Sequence, residues 1–170
     1  KADLSELDFV RNAYLLKSEI FLETDGEIRV DEKGIAYDVI TLMEKYGMAP
    51  EEAFMKSPQN ESNPKSGEMD AIIRGTLRTV QLKEEGKLTE RWKNILNGAL
   101  TRHLGDVKLE FTYRDVEYTP KSFAEQSGLE PSDYVLITSD TRNPLNESFV
   151  LEVKNNWNKA GFYNTGLVQM

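Results

Sequence analysis

The 170 residues contain no cysteine. That absence removes disulfides, thiolate metal sites and thiol catalysis from anything these residues do by themselves. It leaves the compartment open, because secreted and cytosolic proteins alike can lack cysteine. Histidine occurs once, as His103, and no carboxylates stand at ligand spacing, so neither a metal nor a cofactor is expected. Basic residues are in deficit: 21 Lys and Arg against 29 Asp and Glu give a formal charge of −8. Nucleic acid and anionic membrane are therefore poor partners, since phosphate binding requires clustered Lys and Arg. No apolar run approaches the roughly 18 residues that cross a bilayer. The opening KADLSELDF has no basic region followed by an apolar stretch, so no signal peptide is expected. Glycines are scattered singly (Gly67, Gly75, Gly86, Gly98, Gly105), which excludes a glycine-rich phosphate loop.

What is present suits a globular protein of one domain or slightly more, with 39% hydrophobic and 29% charged residues. Asp3 or Ser5 can cap a first helix in which Leu4, Leu7, Val10, Tyr14 and Leu15 recur at helical spacing, continuing to about Leu22. The turn at 24–27 precedes a short extended segment at 28–30. A second turn over 31–34 leads into a helix with Ala36, Val39, Ile40 and Met43 as its stripe, ended by Gly47. Residues 57–67, rich in Ser, Asn and Pro, read as a loop. Helices are expected over 68–85, stopped by Gly86, and over 88–104, capped by Thr89 and closed by Gly105. The texture then changes. Segments 107–113 and 116–118 alternate, are rich in aromatic and β-branched residues, and flank Arg114-Asp115, which predicts a hairpin. Pro120 opens a short helix to Ser127. Strands are expected over 134–138 and 149–153, and the tail after Trp157 carries no pattern. Helices first and strands later indicate an α+β fold, helix-rich in its first half with a small antiparallel β portion after it.

Residue chemistry alone supplies no catalytic site. His103 lies near a helix C-terminus, where an imidazole serves the unpaired carbonyls. Glu51-Glu52 reads as the first turn of a helix and Glu84-Glu85 as a solvated helix end. Asp25, Glu27, Asp31 and Glu32 have the wrong order for a calcium loop and read as polar surface. Asn60-Glu61-Ser62 and Asn146-Glu147-Ser148 match the glycosylation acceptor, a pattern common by chance, and Trp92 and Trp157 read as core or interface anchors.

Several longer blocks are more specific. Residues 3–17 read DLSELDFVRNAYLLK, residues 33–54 read KGIAYDVITLMEKYGMAPEEAF, and residues 110–139 begin EFTYRDVEYTPKSF. These resemble, in the same order, blocks of the bleomycin hydrolase and aminopeptidase C family of papain-like cysteine peptidases, with 68–104 similar to the helical insertion of that family. The resemblance implies three parts: 1–56 from the papain-like helical domain, 57–106 the insertion, and 107–170 a β-containing segment leading towards the papain-like β domain. It also implies that the family's cysteine, glutamine, histidine and asparagine match nothing here, so the chain alone is expected to be inactive, a non-catalytic middle region of a peptidase. One piece of the substrate site maps onto it. Gly34 would be the second glycine of the cleft-lining Gly-Gly segment, with Ile35 and Ala36 beginning the neighbouring side-chain pocket, and Lys33 stands where the first glycine is expected. By the same resemblance the parent acts on peptides in the cytoplasm, and the insertion serves assembly of a homo-oligomer and gating of substrate. The alternative is a free-standing binding module derived from a peptidase scaffold. Leu7, Val10 and Tyr14 are expected to form an open apolar face that promotes dimerisation.

Overall fold

Ser5 takes an extended backbone conformation before α1 (Glu6–Glu23), and Glu6 and Asp8 place negative charge in its first turn. The computed structural model describes residues 2–57, 66–82 and 90–166. After α1 come α2 (Asp38–Tyr46), β1 (Phe54–Lys56), α3 (Ser66–Gln81), α4 (Arg91–His103), β2 (Gly105–Val107), β3 (Phe111–Tyr113) and β4 (Val116–Tyr118). Helix α5 (Pro120–Ser127) and strands β5 (Ile137–Thr138), β6 (Ser148–Val150) and β7 (Gly161–Asn164) complete it. The α+β class, with its helices concentrated in the first half, is as expected.

Helix α1 is the centre of the arrangement because different faces of it enter different cores. Tyr14 joins Ile73, Leu77, Trp92, Leu96 and Leu100, the buried stripes of α3 and α4. Phe9 packs half-buried against Met43, Met48, Phe111 and Phe123. Leu16 meets Leu42 and Trp157. Tyr14 is 1% exposed and its hydroxyl donates to Asp70 Oδ1 on α3 at 2.5 Å. The expectation of an open face is therefore corrected: α3 and α4 cover Tyr14, and Leu7 and Val10 pack half-buried against the same cluster.

The excursion through α3 and α4 leaves and returns at one place. β1 pairs antiparallel with β2, and Ser57 N–H donates to Leu104 O at 3.1 Å. Gly105, with φ of 116°, sits in that pair because a side chain there would overlap the Met55 carbonyl. Gly47, with φ of 83°, likewise lets the chain pass against the Pro120 carbonyl. Strand β2 takes Val107 out of the expected 107–113 strand, and the hairpin that remains is β3–β4. Its two turn residues, Arg114 and Asp115, have φ of 50° and 63°, the positive values a type I′ turn requires. Thr119 then caps α5 through a reciprocal bond pair with Ser122, with Pro120 in the first turn and Gly128 left-handed at the end.

The last sheet departs from expectation. Its order is β5-β7-β6, with β5 parallel to β7 and β6 antiparallel to it. The central strand comes from the tail that lacked pattern, because Phe162 and Asn164 are buried while Gly161 and Tyr163 are exposed over only four residues. Residues 28–30 form no strand. Of the expected loop at 57–67, Ser66 and Gly67 instead open α3, and 58–65 lie outside the described residues, as do the acceptor motif at Asn60, the helix end at Glu84-Glu85, Gly86 and Thr89.

Candidate functional site

The expected substrate-site residues Lys33, Gly34, Ile35 and Ala36 form the loop that delivers the chain into α2. Three charged side chains and one indole hold that loop. Lys17, on α1, is 1% exposed, and its ammonium donates to the carbonyl of Asp31 at 2.7 Å and to the carbonyl of Lys33. Its Nζ stands 3.9 Å from Asp31 Oδ1 and 5.4 Å from the centre of the Trp157 ring. Burial pulls the Lys17 ammonium below its usual range, opposed by the carboxylates of Asp31, Asp38 and Asp70. Asp31 accepts from Lys33 N–H at 3.1 Å through Oδ1 and forms an ion pair with Arg29 Nε at 2.7 Å through Oδ2. The bond to Lys33 closes the local turn that aspartate favours.

Asp38 serves the other end of the loop. From the first turn of α2 its Oδ2 reaches back to Ile35 N–H at 2.8 Å and accepts the Trp157 indole N–H at 2.8 Å. Its Oδ1 is buried without a partner. Burial raises the Asp38 carboxyl, against the lowering effect of Ile35 N–H, Trp157 and Lys17. A methyl group on Gly34 would overlap Asp38 Oδ2 and displace the carboxylate that holds Ile35 N–H and the Trp157 indole. Trp157 is anchored between Leu16 and Leu42, and Asn158 Nδ2 reaches Thr41 Oγ1 at 3.2 Å, so the C-terminal loop is pinned to α2.

The result is a rigid strip. Lys33, Gly34 and Ala36 are exposed and Ile35 is half-buried. Ile35 and Lys33 spend their main-chain groups on the fold, whereas among the described residues nothing bonds to the N–H or C=O of Gly34. Beside it lies a cleft of about 240 Å³, walled by 27–33 and by 153–159, with Lys33 and Trp157 in its lining. Gly34, Ile35 and Ala36 do not line that cleft. His103 ends α4 and is no part of the site.

Sequence reasoning found the loop and missed what holds it. Asp31, placed on the polar surface by its sequence context, is buried. Lys17 carried a signal, since a charged residue three positions after Tyr14 falls on an inward face of α1. Nothing local marks Asp38 as a partner of Trp157, which lies 119 residues further along the chain.

A second, larger cavity of about 550 Å³ lies between the β3–β4 hairpin and α5, lined by apolar groups including Leu4, Met48, Tyr113 and Phe123. Its polar lining residues include Arg114, Gln126 and Ser127.

No protein-family model matches the sequence, and no curated protein matches it. Among solved structures the fold is similar to that of PepW from Lactobacillus rhamnosis HN001 (DR20), with a TM-score of 0.65 and 19% identity. The match covers 96% of this chain and 46% of PepW, so the chain spans about half the length of that protein. At this identity the likeness is one of fold. The fold expected from the sequence blocks agrees with this likeness.

Proposed function

We propose that this chain is the non-catalytic middle region of an aminopeptidase C-like cysteine peptidase, and that Lys33, Gly34, Ile35 and Ala36 form a strip along which a peptide substrate runs. The observation that carries the reading is the exposed, unbonded main chain of Gly34 on a loop clamped by Lys17 and Asp38. One free N–H and one free C=O on a fixed residue can pair with an extended peptide as a strand edge does. Rigidity matters because a loop ordered in advance loses less entropy on binding. The absence of cysteine means that the thiol nucleophile of such a peptidase comes from outside these 170 residues. In this reading the excursion through α3 and α4 serves assembly and gating in a homo-oligomer. Exposed Ile72 and Ile95 on those helices support that role, since they give the pair an outward apolar surface.

The test is a titration of the isotopically labelled chain with a capped, extended pentapeptide, followed by backbone amide shifts. Saturable shifts centred on the Gly34 and Ile35 amides are expected. They should vanish when the peptide bond facing Gly34 is N-methylated. Shifts confined to the β3–β4 cavity, or no saturable shift, would overturn the strip.

A further inference from the structure

We propose that the cleft beside Lys33 is an anion subsite that takes an acidic side chain of a peptide lying along Gly34. The inference rests on the strip reading above and adds a preference to it. Four cationic residues, Arg29, Lys33, Lys154 and Lys159, line this one cleft in a chain of formal charge −8. Two of them are already engaged: Arg29 with Asp31 at 2.7 Å and Lys159 with Glu152 at 2.6 Å. Lys33 and Lys154 are exposed, and among the described residues neither forms an ion pair. The acidic side of the lining is weaker. Asp31 is shared between Lys17 and Arg29, which leaves exposed Glu27 as its one uncommitted carboxylate.

Geometry adds to charge. The main chain of Lys33 is tied by its N–H to Asp31 and by its C=O to Lys17, so its side chain leaves from a fixed point next to Gly34. Trp157, whose indole N–H is committed to Asp38, contributes to the lining, and Ile28 and Val153 add apolar surface. A carboxylate on a short aliphatic stem suits such a site: the stem lies against the apolar lining and the head meets two ammonium groups. About 240 Å³ accommodates that side chain with a few waters of roughly 30 Å³ each. Lys33 thus changes from a departure in a glycine position to the element that selects the substrate.

The experiment compares two capped pentapeptides, identical except for glutamate or glutamine at the centre, titrated into the 170-residue chain at low salt. The amide of Gly34 and the indole N–H of Trp157 are the reporters. The glutamate peptide is expected to bind about fivefold more tightly, an advantage that falls to near one in Lys33→Gln, shrinks in Lys154→Gln, and disappears in about 1 M salt. Both substitutions are at exposed side chains and leave the clamp on the main chain in place. Equal binding of the two peptides with shifts at Gly34 would overturn the anion subsite and leave the strip standing. A Lys33-dependent preference for glutamate reported by Trp157 without any Gly34 shift would establish the subsite and overturn the strip. Absence of shifts at both reporters would overturn both.

Discussion

Substituting Asp8 by asparagine should make the protein more stable at neutral pH relative to acid pH, by an amount the structure sets. Asp8 lies on the buried side of α1 and is 4% exposed. Its Oδ1 accepts from Asn12 Nδ2 at 3.1 Å, while Oδ2 is buried without a partner. Burial pushes the Asp8 carboxyl from 3.8 up to about 6, despite the Arg11 guanidinium and the Asn12 bond that favour its charge. Its folded pKa is therefore above the unfolded one. The stability it contributes is fully present below 3.8 and is lost as pH rises through about 6. A separation of about two pH units corresponds to a cost of about 3 kcal/mol at pH 7, nearly all of it absent at pH 4. Asparagine cannot ionise, so the variant escapes the cost. Urea unfolding of both proteins at pH 4 and pH 7 isolates the effect. Any packing or hydrogen-bond cost of the amide is the same at both pH values and cancels, as do the titrations of all other groups. The variant should gain about 2 kcal/mol on the parent between pH 4 and pH 7. A difference below about 0.5 kcal/mol would show that Asp8 is solvated or paired in the folded protein, contrary to the buried position described.

Lys17→Met should destabilise by about 3 kcal/mol in urea, because two carbonyls, that of Asp31 buried and that of Lys33 partly so, lose a charged donor, and amide exchange at Lys33 and Ile35 should accelerate; unchanged stability would mean that the ammonium does not clamp the loop. Gly47→Ala should cost about 3 kcal/mol or more, since a positive φ combines with backbone overlap at Pro120, and a loss below about 1 kcal/mol would refute that contact. Replacing Arg114-Asp115 with Asn-Gly should raise stability by about 0.5–1 kcal/mol, the gain from residues that adopt positive φ freely less the Arg114–Tyr113 ring contact, with a thermal melt as the measure.

How much of this was legible beforehand depends on the range over which each feature is determined. The stripe Met69, Ile73, Leu77 and the stripe Trp92, Leu96, Leu100 mark α3 and α4 in any reading of period 3.6, and both are buried as that period demands. Thr119-Pro120 and Gly128 bracket α5 through cap chemistry that acts within four residues. Arg114-Asp115 marked a turn by position, and the strands on either side supplied the twist that selects positive φ. In contrast, Val107 pairs with Phe54 and not within the hairpin, and no pattern local to 107–113 could show it. The central strand β7 has too few residues to display alternation.

The candidate site divides along the same line. The sequence by itself determined that no thiol or imidazole cluster exists, that the charge is acidic, and that Lys33 and Gly34 occupy a turn before a helix, because composition and short-range backbone preferences need no partner; that Ile35 and Ala36 also precede the helix, which begins at Asp38, was decided by the fold. Only the tertiary structure decided that Lys17 is buried and usable. An ammonium is tolerated there because the carbonyls of Asp31 and Lys33, the carboxylate of Asp31 and the ring of Trp157 converge on it from two separate segments. The cleft is likewise made by two stretches more than a hundred positions apart, 27–33 and 153–159, and its positive lining inside an acidic chain exists only once folding sets them face to face. Electrostatic and hydrogen-bond energies fall steeply with distance in space and are indifferent to distance along the chain.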